Sequence, residues 1–199
     1  MYALKTIMTT TTTKKRTKTE SFIDSLPTNP FIFEILELVS KQRSNSKKVE
    51  VLRKYSHDSL KTIFIWNFDE SVISLLPEGE VPYSTAGDQN INSGSLSSKI
   101  NDAVSKMEEI NSKSLGALDQ GKSSIRKEYM KFFNFVRGGN NTLTSLRRET
   151  MFINILEGLH PLEAEILCLV KDKKLQTKYK ISLDNVKEAY PDIQWGSRS

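Results

Sequence analysis

Apolar residues at helical spacing fill two blocks of this 199-residue chain, residues 29–83 and 122–195, and a polar stretch separates them. In that stretch, residues 84–121, Ser, Gly and Asn occupy sixteen of thirty-eight positions, a composition typical of linkers. The helical spacing predicts an all-α protein made of two helical segments. Whether the two segments share one core or pack separately stays open. Inside the linker, the spacing of apolar residues over Ile100–Ile110 predicts a short amphipathic helix.

Capping residues divide the first block into three predicted helices. Asn29-Pro30 is a typical N-cap followed by a first helical residue, so the first helix is expected to begin there. A polar turn, Ser44–Ser46, precedes the second helix, and Asp58 is the expected cap of the third. The strand formers of Thr62–Phe68 also permit a buried strand, but no partner strand is evident and helix is preferred. The Pro- and Gly-containing segment Leu76–Tyr83 is expected to be irregular.

The second block predicts a run of shorter helices. Its first helix is expected to bury one stripe, made of Ile125, Tyr129, Phe132, Phe133 and Val136. Gly138-Gly139 is expected to end that helix, with Gly138 at positive φ. Asn141 or Thr142 is the predicted cap of the next helix, which turns Leu146 inward. Further helix starts are predicted at His160-Pro161 and at Ser182.

The N-terminal residues 1–28 are Thr-rich and basic. Residues 1–18 contain five Lys or Arg and no acid, which equals the net charge of +5 of the whole chain. Such a segment has little apolar surface to bury, so a disordered tail is expected. A phosphate-binding arm is the alternative interpretation, although isolated basic runs bind polyanions weakly.

Several kinds of chemistry lack the residues they need. The single Cys168 excludes an internal disulfide, and neither His57 nor His160 stands in a metal-ligand spacing, so no metal is expected. No glycine-rich phosphate loop or reactive cluster is evident, and we expect no cofactor, no small-molecule substrate and no enzymatic activity. The longest apolar run, Ile166–Val170, has five residues, far fewer than the roughly 20 residues of a membrane span, so no membrane association is expected. A reduced, intracellular protein is the expectation.

Basic residues interleaved with aromatic ones are the strongest candidate for a binding surface. Residues 122–181 contain twelve basic residues (Lys or Arg) and six acidic residues. Such a mixture can hold phosphates and stack bases, so this region predicts contact with nucleic acid. The candidate residues are Arg126, Lys127, Lys131, Arg137, Arg147, Arg148, Lys173, Lys174 and Lys178. The alternative is that these side chains form an ordinary solvated face over an aromatic core.

Four strings of this sequence resemble a known family. They are Asn29–Glu34, Ile65–Asp69, Leu76–Tyr83 (LPEGEVPY) and Arg147–Leu175. Together they resemble uncharacterised proteins of large contractile-tailed bacteriophages, notably those that infect marine cyanobacteria. The resemblance covers about residues 20–83 and 122–195, and it implies a viral protein without implying a reaction. The segment Met1–Met8 is unlike that family, which makes Met8 an alternative translation start.

These observations lead to one expected function and two alternatives. The expectation is a non-enzymatic phage accessory protein that binds a macromolecule, such as nucleic acid, through its basic C-terminal helical region. The alternatives are a module that binds a host protein during phage takeover and a structural component of the virion. The expected location is the cytoplasm of the infected bacterium or the virion itself.

Overall fold

The computed structural model describes residues 26–81 and 123–196, and within them every regular element is a helix. The predicted all-α class is therefore confirmed. The predicted linker at 84–121, its Ile100–Ile110 helix and all but three residues of the predicted tail lie outside the described residues. Of those three tail residues, Leu26 is partly buried against the core, so packing begins before residue 29.

Three helices form the first block: α1 (Ile32–Lys41), α2 (Asn45–Lys54) and α3 (Asp58–Phe68). Helix, rather than strand, over residues 62–68 is confirmed. Ser44 caps α2 as a hydroxyl acceptor for the Lys47 N–H at 3.3 Å. Two predicted starts were wrong by one to two residues. Helix α1 begins after Phe31, whose N–H donates to Glu34, and His57 rather than Asp58 caps α3 by accepting from the Ser59 N–H.

The irregular exit from the first block is confirmed as far as Val81. Just before this exit, an antiparallel bridge between Ser74 and Val136 connects the first block to the second. The Leu75 N–H donates to the Phe135 carbonyl, and the Arg137 N–H donates to the Ile73 carbonyl, both at 2.8 Å. These four backbone groups thus satisfy one another across the bridge.

The second block contains five α-helices and one 3₁₀ helix among its described residues. In chain order they are α4 (Ile125–Glu128), the 3₁₀ helix (Tyr129–Phe135), α5 (Ser145–Gly158), α6 (Pro161–Lys171), α7 (Leu175–Lys178) and α8 (Leu183–Ala189). The predicted starts at His160-Pro161 and Ser182 are confirmed. The predicted cap of α5 was wrong: the Thr144 hydroxyl, not Asn141 or Thr142, accepts from the Arg147 N–H.

The predicted aromatic stripe was partly wrong because the first helix of this block tightens after Glu128. In a 3₁₀ helix, residues three apart share a face. Phe132 and Phe135 therefore point into the core together, at 2% and 0% exposure, while Phe133 is 52% exposed. Met130 lies three residues before Phe133, so it turns outward on the same face, at 69% exposure. Leu146, predicted to face inward, is 74% exposed at the start of α5.

The two blocks share one hydrophobic core. Helix α3 packs on α6, α1 packs on both α2 and α6, and α8 packs on α2. Four aromatic side chains join the blocks at the centre: Trp66, Phe132, Phe135 and Phe152. Trp195 is partly buried against the same core. The sequence leaves open whether the two segments share a core, and contacts between helices far apart in sequence show that they do.

Replacing Gly138 by Val is expected to lower the free energy of unfolding by more than about 1 kcal/mol. Gly138 has the predicted positive φ, 80°, which a β-branched residue does not tolerate. Gly158, the last residue of α5, is the matched control because it has no positive φ and a Cβ there would meet only the Ser123 side chain at 3.9 Å. Gly158→Ala should be neutral or stabilising. Urea denaturation measures both, and equal effects would contradict the role of φ.

Candidate functional site

The most distinctive concave surface is a groove between α3, the 3₁₀ helix and the turn that follows it; we call it the apolar groove. Its volume is about 410 Å³. Buried Trp66, Val72 and Phe132 form its floor, and exposed Met130 and Phe133 stand on its rim. Arg137 is the only charged side chain among the described residues that line it. The groove is therefore an apolar surface with one positive charge at its edge.

The local backbone explains why the rim side chains face outward. The 3₁₀ helix places Met130 and Phe133 on one side and Phe132 on the other. Gly139 then packs against the backbone of Phe133: a Cβ at position 139 would lie 1.8 Å from the Phe133 carbonyl oxygen. Only glycine fits at that distance, so the turn closes tightly beside the groove.

Trp66 adds a polar atom to the floor of the groove. Its ring contacts Phe132 and Phe135, with ring centroids 5.6 and 6.1 Å away. Its indole N–H is buried and donates no hydrogen bond within the described residues. An unpaired buried donor costs about 1–3 kcal/mol, so the tight aromatic packing offsets a polar penalty at this position.

A second cavity, of about 610 Å³, lies beside α5; we call it the Leu146 cavity. Leu146 and Met151 contribute apolar surface to it, and Lys131 and Arg147 contribute charge. It is thus the more polar of the two concave surfaces near the 3₁₀ helix.

Five of the nine predicted nucleic-acid residues make contacts within the protein. Arg126 donates to the Pro30 carbonyl at 2.9 Å and Lys173 donates to the Asp69 carbonyl at 2.7 Å. Lys131 pairs with Glu128 at 2.7 Å, and Lys178 pairs with Glu165. The fifth, Arg148, donates to three backbone carbonyls. A phosphate would have to compete with these contacts for the same side chains. The predicted basic surface therefore offers fewer available positive charges than the sequence suggests.

Arg148 is a correction to the predicted site because it lies inside the protein. It is 6% exposed, and its guanidinium donates to three carbonyls, those of Asn134 at 2.8 Å, Asn140 at 3.1 Å and Leu143 at 3.2 Å. A guanidinium has enough donors in a fixed fork to hold several carbonyls at once. Arg148 therefore fixes the 134–143 turn against α5 and offers no group to a ligand.

The other four predicted residues are exposed and form no hydrogen bond or ion pair through their side chains with the described residues: Lys127, Arg137, Arg147 and Lys174. The structure distributes them over different features. Arg137 lies at the apolar groove, Arg147 at the Leu146 cavity and Lys174 at the start of α7. Lys127 lies in α4, next to the 3₁₀ helix. Arg137 alone among them lies beside exposed aromatic surface.

Sequence reasoning missed Glu163, in the first turn of α6, which is the most buried charged residue among those that the structure describes. Its carboxylate accepts from the Ile32 N–H at 3.0 Å and from the Ile125 N–H at 2.8 Å, the first residues of α1 and α4. Burial raises the pKa of Glu163, while these two hydrogen bonds and nearby Arg126 oppose the rise. An acid two residues after the Pro that starts a helix indicates a role at a helix N-terminus. No local pattern indicates the two distant helices that it joins.

The remaining reactive groups have ordinary structural surroundings. Burial raises the pKa of the Cys168 thiol to about 12, which keeps it protonated. Burial, and then the charge of Arg126, lowers the pKa of His57, whose ring accepts from the Ser59 N–H. Within residues 26–81 and 123–196, no three His, Cys, Asp or Glu side chains stand close enough to hold a metal ion. None of the helices described in those ranges is long and apolar enough to cross a membrane.

Comparisons with known proteins identify a family without an activity. A model described as a family of unknown function, DUF6433, matches residues 35–110 and 109–177. No curated protein and no solved structure matches the chain.

Proposed function

The chain belongs to the DUF6433 family of unknown function, and from that premise we propose that it is a non-enzymatic binding protein that holds a protein partner in the apolar groove. The observation that carries this proposal is Phe133, which is 52% exposed beside Met130 at 69%. Large apolar side chains exposed side by side over a concave surface mark interaction sites. Within residues 26–81 and 123–196, neither side chain belongs to the hydrophobic core.

The composition of the groove supports a protein partner. The centres of protein–protein interfaces are enriched in aromatic residues, Met and Arg and are depleted of Lys and acids. The groove combines Trp66, Phe133, Met130 and Arg137, and no acidic residue lines it among the described residues. Met is common at binding surfaces that adapt to a partner, because its side chain is flexible and polarisable.

A nucleic-acid partner has less support than the sequence suggests. Binding to a nucleic-acid backbone needs several Lys or Arg side chains on one surface that are not already paired within the protein. Here Arg148 is buried, Lys173 donates to the Asp69 carbonyl, and Lys178 pairs with Glu165. We therefore favour the protein partner, and nuclease treatment during affinity purification distinguishes it from nucleic acid.

We also propose that the protein is phage-encoded and acts in the cytoplasm of the infected bacterium or in the virion. The support is the resemblance of Leu76–Tyr83 and Arg147–Leu175 to proteins of contractile-tailed phages. In such a setting, the partner is a host protein or another phage protein.

Affinity purification of the tagged full-length protein from infected cells tests the proposal. The groove variant carries Met130→Ser and Phe133→Ser, and the control carries Leu146→Ser, which changes an apolar residue that is 74% exposed and does not line the groove. We expect wild type and control to retain a protein after nuclease treatment, and the groove variant to lose it. The retained protein must also rebind the purified chain with the same dependence on Phe133.

Two results would overturn the proposal. Equal recovery of every protein by the groove variant and the control would show that the groove is not the contact. Loss of all partners on nuclease treatment would favour nucleic acid instead. Thermal unfolding of the wild type, the groove variant and the Leu146→Ser control checks that all three are folded and unfold at similar temperatures.

A further inference from the structure

We propose that the occupant of the apolar groove is an amphipathic α-helix of the partner protein that carries acidic residues beside its apolar stripe; this rests on the proposed function. Three observations support that choice of occupant: the size of the groove, the satisfied backbone along one of its edges and the sign of the charge around its rim.

The groove has the dimensions of a site for a few side chains. Its volume of about 410 Å³ falls near the lower end of the roughly 300–1,000 Å³ of ligand pockets. A helix that lies in such a groove inserts apolar residues from successive turns, spaced three or four apart. The exposed Met130 and Phe133 then cover the flanks of the inserted side chains, as a rim that excludes water.

The backbone beside the groove disfavours an extended partner. A strand that joins an existing edge needs free N–H and C=O groups on that edge. At this edge, the N–H groups of Leu75 and Arg137 pair across the Ser74–Val136 bridge, and the carbonyl of Val136, which a further strand would use, already accepts from the Gly139 N–H at 3.2 Å. A helix satisfies its own backbone internally, so it needs only apolar surface and side-chain contacts from the groove.

The charge around the groove favours an acidic partner. Arg137 is the one charged side chain that lines it among the described residues, and Arg137 is exposed. Two other basic residues of the segment Arg126–Arg137 are held elsewhere: Arg126 donates to the Pro30 carbonyl, and Lys131 pairs with Glu128 beside the Leu146 cavity.

The opposite wall of the groove adds little negative charge. After Trp66 the chain carries Asp69 and Glu70; Asp69 is buried and accepts from the N–H groups of Ser71 and Gly196. Glu70 is the remaining exposed acid of that turn. A carboxylate on the partner would therefore pair with Arg137, and a lysine there would be repelled.

Two synthetic peptides of about 16 residues, long enough to form helices when stabilised by a side-chain crosslink, serve as probes. Both carry the same leucine stripe, flanked by Glu in one and by Lys in the other, and both carry fluorescein. Fluorescence anisotropy with the full-length protein at low salt should show that the Glu peptide binds at least about tenfold more tightly. Arg137→Glu should abolish or reverse that preference, Phe133→Ser should weaken binding about tenfold or more, and Leu146→Ser should change neither.

The inference is overturned if the two peptides bind equally, if neither binds, or if Phe133→Ser leaves binding unchanged. It is also overturned if vesicles with phosphatidylserine, or a single-stranded oligonucleotide, bind through Phe133 while the Glu peptide does not. These failures are separate from failure of the proposed function. Partner recovery that depends on Phe133, without a preference for the Glu peptide, retains the groove and rejects the acidic helix.

Discussion

Replacing Glu163 by Ala is expected to lower the free energy of unfolding by about 3–5 kcal/mol. Glu163 is fully buried, and its two oxygens accept from the first N–H groups of α1 and α4. Removal of the carboxylate leaves both donors buried without a partner, at a cost of about 1–3 kcal/mol each. It also leaves the Arg126 guanidinium without its nearby negative charge. Urea denaturation followed by circular dichroism measures the loss.

Two further variants separate the role of the two hydrogen bonds from the loss of an acid in general. Glu163→Gln keeps one carbonyl acceptor and should lie between wild type and Glu163→Ala. Glu165→Ala, on the same helix, removes only an ion pair with Lys178 and should cost about 1 kcal/mol or less. Equal losses for Glu163→Ala and Glu165→Ala would show that Glu163 does not hold the two helix starts.

Phe132→Ala is expected to destabilise the protein by about 3–5 kcal/mol, whereas its neighbour Phe133→Ala should cost less than about 1 kcal/mol. The difference follows from burial: Phe132 is 2% exposed and contacts Trp66 and Phe135, whereas Phe133 is 52% exposed. Thermal unfolding of the two variants under one set of conditions compares them directly.

Phe133→Ala, which costs little stability, should nevertheless weaken binding. With the Glu peptide as probe, Phe133→Ala should weaken binding in a protein that remains folded, because Phe133 lies on the rim of the groove. If both variants are destabilised equally, the segment from Tyr129 to Phe135 has a different register, and Phe133 is a core residue as the helical stripe predicts.

Much of the candidate site could not be predicted because its residues are defined by a helix type that periodicity does not reveal. Apolar spacing over Ile125–Val136 fits an α-helix well enough to place Phe133 in the core. The change to three residues per turn after Glu128 moves Phe133 and Met130 outward. Arg137 was among the predicted residues, and it is the one that lies at the groove.

The burial and pairing of some of the basic residues could not be predicted for a related reason. Net charge counts Arg148 and Lys173 as available cations, but each donates to carbonyls that are far away or on another element. A buried cation is tolerated only when such acceptors surround it, and their positions are known only after the chain is packed.

Local chemistry in the sequence by itself determined the helical class, the irregular exit at Leu76–Val81 and the helix starts at His160-Pro161 and Ser182, because caps and prolines act within a few residues. Tertiary structure alone decided that the two blocks share a core and that Glu163 joins α1 and α4 across 131 and 38 positions of sequence. It also decided which aromatic residues face outward. These outcomes depend on which distant surfaces exclude water from each other, and that free energy is set by the packed chain rather than by any short stretch of it.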